Sequence, residues 1–114
     1  MVEIQVEEHG KTIVIAIKGE FYIESVEYTE KVWNEQVAKK PQVIGINCKE
    51  IKFIDSSAIG ILVKFLNNSI KLKIELVFFD LSETVLTVFK AAKLGNFFKI
   101  LSKSQFESEC LLTK

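Results

Sequence analysis

The stretch FIDSSAIGILVKFL, residues 53–66, passes from an apolar strand-like run through an aspartate and two serines into a helical pattern opened by the small residues Ala58 and Gly60. Its spacing predicts a helix over about 57–70. On a 3.6-residue period Gly60, Lys64, Asn67, Asn68 and Lys71 share one stripe, while Ile59, Ile61, Leu62, Val63, Phe65, Leu66 and Ile70 cover the rest, so the stripe is expected to be the solvent-facing part. Ser56 and Ser57 both lie within about 60° of the stripe's centre, and spacing does not choose between them. Asp55 or Ser56 suits the N-cap position, which by itself demands no further role.

Working outward, VEIQV at 2–6 alternates and TIVIAI at 12–17 is apolar on both faces; with the turn glycine of EEHGK between them they predict a hairpin with an outer first strand and a buried second. A helix follows over 25–40, with Ser25 as N-cap candidate, Val26, Trp33 and Val37 on one stripe, and Pro41 as its stop. VIGIN at 43–47 reads as a buried strand joined to the central helix by the link CKEIKFID, and KIELVFF at 73–79 as the next strand. A third helix spans about 83–94, with Ser82 as cap, Leu81 and Leu86 at staple spacing, and Gly95 where a left-handed C-terminal cap belongs. FFKIL at 97–101 suits a last strand, and Ser102 with Gln105 has capping-box spacing for a terminal helix. The order predicts one α/β domain over 1–114, a mixed β-sheet of four to five strands covered by about four helices.

With 114 residues, 48% apolar composition and nine Phe, the chain can build a core without disulfides. Fifteen cationic side chains balance fifteen anionic ones, with no block of like charge, which argues against nucleic acid or an anionic membrane as main partner. Cys48 and Cys110 lack metal-ligand spacing, and no signal peptide or long apolar run accompanies them; a reducing cytoplasm is the expected compartment, with no membrane insertion. In that setting the NNS match to a glycosylation acceptor at 67–69 is chance, and the cysteines read as small core hydrophobes. Trp33 and the aromatics Phe78, Phe79, Phe89, Phe97 and Phe98 are expected to pack in the core, and Lys90 and Lys93 to lie on a solvated face.

The aspartate-serine turn offers several chemistries. A serine nucleophile needs a neighbouring base, and the lone His9 falls in the predicted hairpin turn, far in sequence and among glutamates; no GxSxG elbow occurs. A phosphoaspartate at Asp55 lacks further carboxylates converging on a metal, and neither GxGxxG nor GxxxxGK is present for a nucleotide. No catalytic residue, metal or cofactor is therefore expected. A helix N-terminus, by contrast, tolerates a covalently attached phosphate, and Gly60 leaves bare backbone for a partner to approach.

FIDSSAIGILV resembles the central signature, close to FxDSSGLGxLL, of the sulfate transporter and anti-sigma antagonist (STAS) domain family, above all its stand-alone bacterial anti-sigma factor antagonists. The resemblance extends to PQVIGINCKEIK, GEF at 19–21, IELVFF and AAKLGNFFKI, nearly the whole chain. It implies a phosphoacceptor at Ser56, with Ser57 as second choice, and a partner-binding face of Asp55, Ser56, Ser57, Gly60, Lys64 and Tyr22. It also implies an anti-sigma factor serine kinase and a serine phosphatase as partners, a sigma factor or other client released by kinase binding, and ATP used by the kinase alone. Ala58 stands where the signature usually has glycine, and Tyr22 where many members have an aspartate, removing a carboxylate from the expected contact surface. Other STAS domains are unphosphorylated subunits docking on membrane transport systems, the alternative that the resemblance leaves.

Overall fold

In the computed structural model, which describes residues 2–111, the sheet is organised by strand β2 (Thr12–Phe21). β1 (Val2–His9) pairs with it antiparallel along its whole length, from Val2 opposite Gly19 to His9 opposite Thr12. The other edge of β2 carries two strands end to end: β3 (Val43–Asn47) runs parallel beside Thr12–Ala16, and β4 (Ile51–Ile54) beside Gly19–Phe21. β5 (Glu75–Phe79) and β6 (Lys99–Leu101) extend the sheet beyond β3, both parallel, giving the order β1-β2-β3-β5-β6 with β4 off that path.

The expected mixed α/β sheet is thus the one observed, but the segment read as a link contains β4, so the strands among the described residues number six. Four residues with only Ile51 and Ile54 buried carry no usable alternation, and β4 exists because β2 is long enough to pair again after β3 has ended. The hairpin strands also run further than expected: His9 closes β1, and the turn is Gly10 and Lys11, with Gly10 left-handed at φ +64°.

Alternation divides the sheet's side chains. Ile13, Ile15 and Ile17 of β2, Ile44 and Ile46 of β3, and Leu76 and Phe78 of β5 face the main core, under α1 (Val26–Val37), α2 (Ser56–Leu72) and α3 (Glu83–Ala91). Trp33 stacks on Phe65 with ring centroids 4.4 Å apart, which joins α1 to α2, and the indole donates to Asn68 Oδ1 at 2.8 Å. Phe78, Phe89 and Phe98 form an aromatic triad on the same face. The opposite face holds Val14, Val77, Phe79 and Phe106, where the short α4 (Lys103–Phe106), opened by the Ser102–Gln105 capping box, lays Phe106 flat on Phe79. Gly45 makes that possible, since a Cβ there would lie 2.4 Å from the Phe106 ring.

Several local expectations are corrected. Ser25 precedes α1 but makes no cap bond; its hydroxyl donates to Glu20 O, and a 3-10 turn over Ile23–Ser25 leads into a helix that ends at Val37. Gly95 lies in a 3-10 turn, and the left-handed residue after α3 is Lys93. Ile70, assigned to the covered side of α2, is 65% exposed, and Phe97 is 69% exposed instead of packing with the other aromatics. Cys48 is fully buried; burial, with Asp80 beside it, pushes its thiol far up, which removes it from thiolate chemistry.

Candidate functional site

β4 delivers the aspartate-serine turn to a definite place. Its last residue, Ile54, pairs with Phe21 at the end of β2, so Asp55 emerges beside the corner Phe21-Tyr22-Ile23. Asp55 N–H donates to Phe21 O at 3.3 Å. Both carboxylate oxygens are then used: Oδ1 accepts from Ala58 N at 2.9 Å, the N-cap bond of α2, and Oδ2 accepts from Ile23 N at 3.1 Å. Of the two N-cap candidates Asp55 takes the position, and it also straps the β2 corner to the helix start. A charged acceptor shared by two backbone donors is the stronger kind of hydrogen bond, and it fixes the geometry of both segments at once.

Ser56 is the first residue of α2 and is exposed, whereas Ser57 is half-buried. Ala58 is fully buried, so the methyl group it carries in place of the usual glycine is packed into the core. One turn further, Gly60 is exposed with no neighbour within 4 Å of where a Cβ would sit; the packing of this chain does not require glycine there. Lys64 follows on the same exposed stripe, with its ammonium engaged by Glu30 of α1. Asp55, Ser56, Gly60 and Lys64 are therefore brought onto one continuous face, with Tyr22 beside it through the Asp55–Ile23 bond.

Tyr22 is held by its own neighbours. Its hydroxyl donates to Glu24 at 2.9 Å, which pushes the phenol's pKa up, and its ring meets Phe53 edge-on at 6.3 Å. Val2, Ile4, Tyr22, Glu24 and Tyr28 line an open groove of about 710 Å³ against the start of β1. The sequence reading missed Ile23 and Phe53, exposed by 65% and 49%, which make the rim of this corner apolar. The available signal was a phenylalanine two residues before the aspartate in a segment too short to hide both of its faces. His9 lies at the far end of β2, hydrogen-bonded to Glu7 at 3.1 Å, so its imidazole has no access to Ser56. No group of three or more potential metal-ligating side chains gathers among the described residues.

The fold has solved counterparts. It is similar to a Thermotoga maritima protein described as a candidate anti-sigma factor antagonist, with a TM-score of 0.84 and 20% identity over 93% of this chain and 92% of that one. An anti-sigma factor antagonist from Mycobacterium paratuberculosis aligns with a TM-score of 0.79 and 17% identity over 88% and 85% of the two chains. The anti-sigma factor antagonist SpoIIAA in its unphosphorylated form gives 0.75 and 23% over 90% and 91%. The phosphorylated form of the Bacillus SpoIIAA gives 0.72 and 20% over 93% and 97%. No curated protein matches the sequence. The family model of the STAS domain matches residues 3–106, from β1 through α4, and the chain belongs to the STAS domain family.

Proposed function

We propose that this protein is an anti-sigma factor antagonist that works as a phosphorylation-controlled partner switch. Unphosphorylated, it binds an anti-sigma factor serine kinase in the cytoplasm and so releases a sigma factor. The kinase uses ATP to phosphorylate Ser56, which breaks the complex, and a serine phosphatase resets it. The domain itself is a non-enzymatic regulator, with Asp55, Ser56, Ser57, Gly60, Lys64 and Tyr22 on its contact surface.

The observation that carries this reading is the contrast between two adjacent side chains. Asp55 has both oxygens committed to backbone donors, while Ser56 stands exposed at the first position of α2. An aspartate so engaged is a poor phosphoacceptor, and a serine so placed is open to a kinase. The half-buried Ser57 offers less room for a phosphate. The positive end of the α2 dipole favours the added charge, so the folded domain accepts the modification. A docked partner does not: about 1.5 to 2 negative charges would arrive beside Asp55 and the apolar rim of Ile23 and Phe53, where they must be desolvated. Family membership, and relatives known in phosphorylated and unphosphorylated forms, support the same reading.

The test is intact-mass and phosphopeptide mapping of the protein from its own host in growing and stressed cells, with Ser56→Ala and Asp55→Asn variants alongside. One phosphate on Ser56 that changes with condition, lost in Ser56→Ala and retained in Asp55→Asn, is the expected result. A label on Ser57 would move the acceptor by one residue, and no phosphate in any condition would overturn the switch.

A further inference from the structure

The end of the sheet opposite Ser56 gathers lysines that are scattered in the sequence. β2, β3, β5 and β6 are all parallel, so the segments entering them meet at one end. Lys11 precedes β2, Lys39 and Lys40 precede β3, Lys71 and Lys73 precede β5, and Lys99 opens β6. The loops lie side by side: Gln42 N donates to Lys11 O at 2.8 Å, and Glu75 N to Gln42 O at 2.9 Å. The crossover from β5 to β6 returns the C-terminus of α3, with Lys90 and Lys93, to the same end. Glu8, Glu75 and Glu109 are there too: Glu8 and Glu75 are in ion pairs with Lys39 and Lys99, and Glu109 lies close enough to Lys99 to act on it electrostatically. Lys11, Lys40, Lys71 and Lys73 are exposed, and no ion pair joins them to any described residue.

Within this cationic end stand three exposed apolar side chains: Ile70 at 65%, Leu72 at 48% and Phe97 at 69%. Ile70 and Leu72 alternate with Lys71 and Lys73 around the last turn of α2, and Phe97 sits just before β6. Compensation of the helix dipoles accounts for a lysine near each helix C-terminus. It accounts neither for Lys11, in a hairpin turn, nor for the three apolar side chains.

We propose that this end is a peripheral docking surface for an anionic lipid bilayer, with the lysines at the headgroups and Ile70, Leu72 and Phe97 at the boundary with the acyl chains. Two observations favour lipid over an acidic protein. The fifteen cationic side chains of the sequence are all lysines, compact hydrated charges that suit a diffuse headgroup layer and are depleted from protein interfaces, where arginine is enriched. Each exposed apolar side chain has a lysine within two residues along the chain, Lys71 after Ile70, Lys71 and Lys73 on either side of Leu72, and Lys99 after Phe97, a mixture of cationic and apolar groups that suits a surface lying on a membrane without crossing it. No helix among the described residues is long and apolar enough to span a bilayer, which agrees with a peripheral mode. Ser56 would face away from the lipid by roughly 30 Å, the length of β2, and stay open to a soluble partner. The inference stands on residues of its own and does not depend on Ser56.

The test is flotation of the full chain with vesicles of phosphatidylcholine alone and of phosphatidylcholine mixed with phosphatidylglycerol, across a salt series. Binding only to the mixed vesicles, weakening as salt rises, is expected. Lys40→Glu, Lys71→Glu and Lys73→Glu together should lower the partition coefficient by about a hundredfold. Ile70→Ser, Leu72→Ser and Phe97→Ser together should remove the binding that survives at high salt. All six positions are exposed, and circular dichroism melting verifies that each variant is folded. Ser56→Ala should float like the parent chain, which separates this surface from the switch. Equal flotation with both vesicle types, or indifference to the lysine reversals, would overturn the proposal. So would the same lysines binding duplex DNA as tightly as the mixed vesicles, or driving head-to-tail self-assembly in place of lipid binding.

Discussion

The two ends of the parallel strands carry the same apolar exposure and opposite charge. At the serine end Ile23, Tyr28 and Phe53 stand in the open beside Glu24 and Asp55; at the lysine end Ile70, Leu72 and Phe97 stand among Lys71, Lys73 and Lys93. The backbone sets this polarity before any side chain does. With β2, β3, β5 and β6 parallel, α1, α2 and α3 all return in the same sense, so their N-termini collect at one end and their C-termini at the other. A chain with zero formal net charge is thereby polarised. Negative charge added at the serine end runs with the helix dipoles, so the fold accepts it and a partner has to read it.

The widest separation between fold and function should appear when one charge is moved from end to end. Ser56→Glu should leave stability within about 1 kcal/mol of the parent, yet phosphorylation of Ser56 should weaken kinase binding by roughly a hundredfold or more. Lys71→Glu, at the negative end of α2, should instead cost about 0.3 to 1 kcal/mol and leave kinase binding unchanged. Urea unfolding beside titration calorimetry reads both quantities. Equal loss of kinase binding by the Ser56-phosphorylated protein and by the Lys71→Glu variant would erase the distinction between the ends.

Next in size is the bolt at the serine end. Asp55→Ala deletes the N-cap bond to Ala58 and the strap to Ile23, and should cost about 2 to 3 kcal/mol. Asn keeps the N-cap bond through its one amide oxygen, but its amide nitrogen is a donor and cannot accept from Ile23 N–H, so Asp55→Asn should recover only about 1 kcal/mol of that loss while removing the charge that repels a phosphate on Ser56. Unfolding midpoints decide it: if the Ala and Asn variants were equally unstable, the cap bond to Ala58 would contribute nothing and the strap to Ile23 alone would hold the corner.

What could be read from the sequence followed from local rules. α2 and the capping box at Ser102 rest on spacing within one turn, and they are where the spacing put them, while of the two cap candidates, Asp55 and Ser56, the structure selects Asp55. The family signature named Ser56, and the fold places it in the open. What escaped depended on distant segments. β4 is a strand only because the end of β2 is free to pair with it. Ile70 follows the apolar period of α2 but falls in its last turn, where Ser69 is the buried residue and its carbonyl already accepts from Ile74 N. The lysine end is invisible as a run because its members come from four separate strand entries, which only the parallel topology brings together. The apolar rim of the serine end has no sequence run either: Ile23 and Phe53 meet around Asp55 from segments about thirty residues apart.

Smaller effects should come from the left-handed residues of the lysine end. Lys40, Lys73 and Lys93 adopt φ values of +55°, +60° and +58°, which cost a side chain that glycine avoids. Lys73→Gly and Lys93→Gly should each stabilise the fold by about 0.5 to 1 kcal/mol, read as higher unfolding midpoints, while subtracting charge from the docking surface. A higher midpoint with no loss of vesicle binding would leave those lysines with no role in docking.

The smallest change tests the serine end without touching its charge. Gly60 is exposed in the middle of the stripe, its surroundings are open, and its backbone is helical, so glycine there weakens α2 with no packing return inside this chain. Gly60→Ala should therefore stabilise the isolated domain by about 0.5 to 1 kcal/mol. If the kinase docks against bare backbone at that point, the same methyl group should weaken the complex, so that stability and binding move in opposite directions. Thermal unfolding and calorimetric titration of the one variant measure both. A more stable domain that binds as tightly as the parent would shift the contact off α2 and onto the Tyr22–Phe53 corner, where Phe53→Ala would then have to carry the loss.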